Sequence, residues 1–384
     1  MTLSTPLLAA APLLAGLMGP ALVGAAPVQQ QIIRPAMSPA AHREPRSEVV
    51  EHEAARTSAD QRRVLSYWTP ERMAQALPID LLGIVTQGGG LLSSRGGGPV
   101  SGLTGRGGGL ASGLTGQGGG LASGLTGRTG LGAAPEIAGG RARIVTPRHQ
   151  SARPASSTGG TRWATGGAVS RTTGRVFLTL GGVDFVCTAG TVRSANRDVV
   201  VTAGHCVKDG TGEWANNWTF VPGYSQGGEQ PYGSFTARRM FVAGPWSRSA
   251  DDSYDIGMVA LGTSSGRHVQ DAVGAQEIGF NAARGSHTYG FGYPADPPYD
   301  GEHLVYCAGR VRDDPYGQTR DQGLGCDMTA GSSGGPWLSA FDPATGKGTM
   351  TSVSSFKYSD DQRTMYGPYF GDSTKTLFTT AEHA

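Results

Sequence analysis

Three short runs of the chain carry residue types that could do chemistry together. They are Thr202-Ala203-Gly204-His205-Cys206, Ser253-Tyr254-Asp255-Ile256-Gly257 and Gly331-Ser332-Ser333-Gly334-Gly335-Pro336. A serine hydroxyl is a poor nucleophile unless a base takes its proton as it attacks. Histidine is the natural base, because its pKa lies near neutrality. A buried carboxylate then holds the imidazole in the right tautomer and stabilises the cation that forms. Acyl transfer also needs backbone N–H donors aimed at the developing oxyanion. Glycine beside the serine lets the backbone turn those amides inward. Each run alone has a plainer reading: a His-Cys pair is usually structural, an aspartate in Tyr-Asp-Ile can be a turn residue, and Gly-Ser-Ser-Gly-Gly can be a linker. Together, in the order His, Asp, Ser, they supply base, orienter and nucleophile.

The elements that must position them are strands. After about residue 160 aromatic and β-branched residues rise, and short strand-like runs alternate with turn signals. Examples are Arg175 to Leu180, Asp184 to Val192, Asp198 to Thr202, Trp218 to Val221, Ser234 to Val242 and Ile256 to Leu261. Later runs are His287 to Gly290, His303 to Cys307 and Thr349 to Phe356. Gly181-Gly182 reads as a hairpin turn. No long helical pattern alternates with these runs, which favours an all-β barrel or sandwich over a doubly wound sheet. About 220 residues suffice for two small barrels.

The preceding part of the chain is of another kind. Residues 1–26 read as an export signal: Leu7 to Leu17 is apolar, Gly19-Pro20 breaks it, and Val23-Gly24-Ala25 offers a cleavage site, although no Lys or Arg precedes the apolar run. Pro12, Gly16, Gly19 and Pro20 interrupt it too often for a membrane-spanning helix, and no later segment fits one. Residues 27–160 read as a pro-region without a folded core. Within it Thr69 can cap a short helix starting at Pro70 and Glu71, with Met73 and Leu77 on one face and Tyr67 and Trp68 just ahead. An eleven-residue glycine-leucine repeat follows over about 95–132, starting Ser101-Gly102-Leu103-Thr104-Gly105-Arg106 and again from Ser112 and Ser123. So much glycine disfavours a helix, and a linker or a surface-binding repeat remain as readings. The net charge of +2 lacks the basic footprint of a nucleic-acid binder. Four cysteines in two close pairs, Cys187 and Cys206, Cys307 and Cys326, suit local disulfides in an oxidising compartment better than a zinc site.

The three motifs resemble those of the trypsin-like (chymotrypsin-fold) serine peptidases, and the likeness is nearest to secreted bacterial members made with a signal and a pro-segment. It covers roughly residues 163 to 384. The resemblance implies two six-stranded antiparallel β-barrels, with His205 and Asp255 from a first barrel (161–268) and Ser333 from a second (269–384). It implies His205 as general base and acid, Asp255 as its orienter, Ser333 as nucleophile, and the amides of Gly331 and Ser333 as oxyanion hole. It pairs Cys187 with Cys206, leaving Cys307 with Cys326. Ser332 replaces the aspartate with which some members pair a freed N-terminus, so activation by that ion pair is not expected; the pro-segment is expected to assist folding or block the cleft. Asp327 stands where trypsin-like members hold the acid that binds Lys or Arg. Ser355, Phe356 and Lys357 would line the pocket's mouth, where a lysine could neutralise Asp327 or favour an acidic residue; a small or aromatic preference is the third alternative. The implied partner is a protein or peptide substrate, the implied form a secreted monomer, with no cofactor and no metal. Asp251 and Asp252 read as solvated, with a calcium site as the alternative. Two rivals remain. An α/β-hydrolase elbow also matches Gly-x-Ser-x-Gly, but only His383 follows Ser333. The other is a secreted pseudopeptidase or adhesive module.

Overall fold

The computed structural model describes residues 48–79, 143–145 and 159–384. The export signal and the glycine-leucine repeat lie outside the described residues. Six antiparallel strands close into a barrel in the order Phe235–Ala243, Gly257–Leu261, Val199–Thr202, Val183–Thr191, Thr173–Leu180 and Asn216–Pro222, which pairs back to the first. Gly181-Gly182 makes the tight turn between two of them, both glycines at positive φ.

The strands alternate as their period demands. Val176, Leu178 and Leu180 enter the barrel core, while Phe177 between them joins a second apolar cluster. Val200 points inward, and Val199 and Val201 outward into that second cluster. Both faces are therefore covered, which is why these strands read as continuous apolar runs rather than as alternating ones. The second cluster also takes Phe291, Leu338, Met350 and Val353 from the remainder of the chain, and it welds the barrel to the second lobe.

The second lobe contains two sheets. One runs Glu277–Ile278, Lys347–Val353, Pro336–Asp342, His287–Gly292, Val305–Arg310 and Thr161–Arg162; the other runs Arg312–Asp313, Gln322–Gly325, Asp361–Gly367, Phe356–Tyr358 and Arg143–Val145. The fold is thus all-β and two-lobed, as the motifs implied. Gln322–Gly325, Pro336–Asp342 and Asp361–Gly367 were not legible as strands, because glycine, proline and charged residues dilute their pattern. A helix, Asp372–Glu382, closes the chain and buries Leu377, Phe378 and Ala381 against the inter-lobe cluster.

Two disulfides are formed, Cys187–Cys206 and Cys307–Cys326, each with sequence separation 19. In chain-entropy terms each loop of that size adds roughly 3 kcal/mol to stability.

Residues 48–79 have no core of their own; they use the barrel's. Val49–Glu53 adds a strand beside Phe235–Ala243, pairing Val49 with Ala243 through Glu53 with Arg239. Thr57 and Asp60 form a reciprocal capping box at the head of helix Ser58–Tyr67. Thr69 caps helix Pro70–Gln75, with proline at its start. Trp68 lies 5.5 Å from Phe177 ring to ring, its indole N–H donating to the carbonyl of Asn217, and Ile79 is fully buried in the barrel core. Burying a large apolar side chain contributes about 1.5–3 kcal/mol, so this segment is a substantial part of the barrel's cover. Separately, Arg143–Val145 lies parallel to Phe356–Tyr358, pairing Ile144 with Lys357.

Candidate active site

Strand Val199–Thr202 ends in the first motif, and the chain turns at once into a 3-10 helix, Gly204–Cys206. Asp255 follows another 3-10 helix, Asp252–Tyr254, and leads into strand Gly257–Leu261. The ladder pairs Gly257 with Thr202, so register alone brings Asp255 beside His205. Glycine is needed at 204: a Cβ there would lie 3.0 Å from both Asp255 Oδ1 and the Trp246 ring. The loop is tied from behind, since Trp218 Nε1 donates to the carbonyl of Cys206 and Trp246 Nε1 to that of Lys208.

His205 and Asp255 are both fully buried. The amide of His205 donates to Asp255 Oδ1 at 2.8 Å, and Nδ1 lies 2.8 Å from Oδ2. An ionised carboxylate only accepts, which assigns the Nδ1 proton to the imidazole and leaves Nε2 as the basic nitrogen. Nε2 has no hydrogen-bond partner among the described residues. Ser355 Oγ donates to Asp255 Oδ2 at 2.5 Å. The hydroxyl of Ser355, a residue the sequence places at the pocket's mouth, thus serves the aspartate.

Ser333 is buried and sits in a turn whose glycines are required. Gly331 and Gly334 have φ of 90° and 80°, and a Cβ on Gly331 would lie 2.8 Å from the Tyr293 carbonyl. The Ser333 carbonyl accepts from the amide of Thr188 at 2.8 Å and lies 3.7 Å from the sulfur of Cys206, the residue after His205. The barrel disulfide thus lies against both the histidine loop and the serine turn.

The remaining pocket residues divide. Asp327 is exposed, and its Oδ1 accepts from the Gly160 amide at 2.6 Å and from the Tyr299 hydroxyl at 2.7 Å. Burial, and then the hydrogen bond to Asp327, raise the Tyr299 pKa. Phe356 is fully buried, stacked at 5.3 Å on Tyr366. Lys357 is 2% exposed and its Nζ donates to the Gln362 carbonyl at 2.6 Å. Burial lowers the lysine pKa to about 8, against the opposing pull of Asp327 and Asp361.

As for metals, the described residues contain one cluster of potential ligand atoms, Cys187, His205 and Cys206. Its sulfurs are joined in a disulfide and offer no thiolate. Asp251 caps its 3-10 helix through the amide of Ser253.

A closed barrel and a second β lobe, with a buried His–Asp pair from one and a glycine-framed serine from the other, define the class of the two-barrel serine proteases. Comparison with known proteins agrees. Protease Anisep from Arthrobacter nicotinovorans is 40% identical, over 56% of this chain and 96% of that one, at a TM-score of 0.53. The thermostable serine protease AL20 from an extremophilic microorganism is 38% identical, over 56% of this chain and 99% of that one, at 0.54. Two curated relatives match over short stretches. The extracellular metalloprotease of Bacillus subtilis (strain 168) is 38% identical over 74 residues, 19% of this chain and 23% of that protein. The glutamyl endopeptidase of Bacillus licheniformis is 39% identical over 71 residues, 18% of this chain and 22% of that protein. The matched stretches span less than a quarter of either curated relative. No family model matches the chain. The chain belongs to the chymotrypsin-fold serine proteases.

Proposed function

We infer that this protein is a secreted serine endopeptidase with His205, Asp255 and Ser333 as its triad. The observation that carries the reading is the buried His205–Asp255 contact, which puts the proton on Nδ1 and leaves Nε2 unpartnered among the described residues. In the reaction His205 Nε2 takes the proton of Ser333 Oγ as that oxygen bonds the substrate carbonyl carbon. The imidazolium, held by Asp255, then gives its proton to the leaving amine as the C–N bond breaks. Water repeats the sequence on the acyl-enzyme and frees Ser333. The amides of Gly331 and Ser333 receive the oxyanion in both halves.

The charges near the pocket support an uncharged residue before the scissile bond. Asp327 already accepts two hydrogen bonds on one oxygen and shares its field with Lys357, while the Lys357 ammonium turns to Gln362. The two disulfides and the names of the relatives support an extracellular setting.

The test is digestion of a diverse peptide library by the secreted, processed protein beside Ser333→Ala, read by mass spectrometry. Cuts that vanish in Ser333→Ala, with small or aromatic residues preceding them, are the expected result. Cuts that persist in Ser333→Ala would overturn the mechanism, and cuts confined to Lys/Arg or to Glu/Asp would overturn the pocket reading alone.

The pro-region's part is assigned to folding, carried by the burial of Trp68, Met73 and Ile79 against the barrel. Deleting 48–79 from the gene should lower the yield of active enzyme severalfold, and adding that segment as a separate peptide during refolding should restore it. An undiminished yield from the deletion would sink the assignment.

A further inference from the structure

Thr188 lies in strand Val183–Thr191 of the barrel, is fully buried, and uses its polar groups in bonds to Gly331, Tyr293 and Ser333 of the second lobe and to Thr202 of the barrel. Its amide donates to the Ser333 carbonyl at 2.8 Å. Its hydroxyl donates to the Gly331 carbonyl at 2.8 Å and accepts from the Tyr293 amide at 3.0 Å. Its own carbonyl accepts from the Thr202 hydroxyl at 2.8 Å.

The carbonyls of the serine turn are each held in place. That of Ala330 accepts from the Ala295 amide at 2.8 Å and that of Ser332 from the Gly335 amide at 2.9 Å. A trans peptide points its N–H opposite its C=O, so these two bonds set the directions of the Gly331 and Ser333 amides. Between them lies the Gly331–Ser332 peptide, whose N–H donates to the Thr329 carbonyl at 3.2 Å and whose C=O is held by Thr188. Thr188 is the side chain that reaches this set from the barrel, while the Ser332 hydroxyl donates to the Thr329 carbonyl at 2.6 Å within the turn. Thr188 acts on the peptide that follows a glycine at φ 90°, where a Cβ-free backbone is least restrained from rotating.

We propose that Thr188 is a positioning residue for the oxyanion-binding turn: its hydroxyl, by holding the Gly331 carbonyl from the barrel, fixes the spacing of the Gly331 and Ser333 amides. This rests on the triad reading above. Loss of one oxyanion donor outright lowers turnover by about 10²–10³-fold. Loss of a group that aims such donors should lower it by less, roughly 10- to 100-fold.

The test compares Thr188→Val, Thr188→Ala and Thr188→Ser in the full, processed protein, with competent sites counted by a fluorophosphonate titrant. The expected result is a roughly 10- to 100-fold fall in kcat per titrated site for Val and Ala, with KM within about threefold, and recovery of most of that loss in Ser. A stability role alone would lower the melting temperature and the number of titratable sites while leaving kcat per site unchanged. That outcome in whichever of Val or Ala folds, or a loss seen only in KM, overturns the proposal. Neither outcome bears on Ser333, whose role is decided by Ser333→Ala.

Discussion

Two His–Asp contacts in this molecule have the same length and different surroundings. His205 Nδ1 lies 2.8 Å from Asp255 Oδ2, and His268 Nδ1 lies 2.8 Å from Asp198 Oδ2. The first pair is wholly buried, and its carboxylate also takes the amide of His205 and the hydroxyl of Ser355. In the second, the His268 side chain is 29% exposed, and Arg238 approaches the same Asp198 oxygen at 3.8 Å. A desolvated carboxylate survives only with converging donors, and those around Asp255 fix its geometry while leaving its charge for the imidazole. The guanidinium of Arg238 beside Asp198 already matches that charge. A hydrogen-bond length therefore says little about catalytic capacity; dehydration and the other partners of the acid decide it.

The sharpest way to break this comparison is to make one change at both aspartates. Asp255→Asn should lower kcat/KM roughly 10⁴-fold, because an amide in that place favours the wrong imidazole tautomer. Asp198→Asn should leave kcat per titrated site within about twofold, and it should cost about 1–3 kcal/mol of stability through a weakened charged hydrogen bond. Peptide hydrolysis and thermal melts of the two variants measure both quantities. Equal losses of turnover would erase the distinction drawn from their surroundings.

Much of the first pair was legible beforehand. The motifs name His205, Asp255 and Ser333, and the apolar runs around them mark six of the barrel strands closely. What the sequence could not show is which contacts distant residues make at the site. Ser355 stands 100 positions from the aspartate it serves, and Thr188 stands 143 from the glycine whose carbonyl it holds. Neither contact carries a local signal, since a serine or threonine in or beside a strand is ordinary. The partners of Asp327 were out of reach for the same reason. Its spacing from Ser333 fits a pocket acid, yet the partners that occupy it, Gly160 and Tyr299, come from elsewhere in the chain. Residues 27–160 read as lacking a folded core, yet within them Trp68, Met73 and Ile79 find their partners on the barrel. Local chemistry reads from sequence where a motif concentrates it, and it fails where the fold assembles it from single residues.

Lys357 extends the comparison to a buried cation with weaker support. Asp255 is compensated by several donors, whereas the lysine ammonium donates to the Gln362 carbonyl and feels Asp327 and Asp361 only at longer range. Desolvation therefore wins and holds its pKa near about 8, below the ordinary 10.5. Between those values the unfolded chain binds a proton that the folded chain does not, so this group makes stability rise with pH across that window. Below about pH 8 both states are protonated and the burial penalty stands in full, on the order of 3 kcal/mol at about 1.4 kcal/mol per pKa unit. Lys357→Met keeps the apolar stem and removes the charge. In a Ser333→Ala background, which prevents self-digestion, Lys357→Met should be the more stable protein at pH 7 by urea melts, and its advantage should shrink as pH rises from about 8 toward about 10. An advantage that stays constant over that range would mean that the ammonium is better satisfied in the fold than its burial and single carbonyl partner imply.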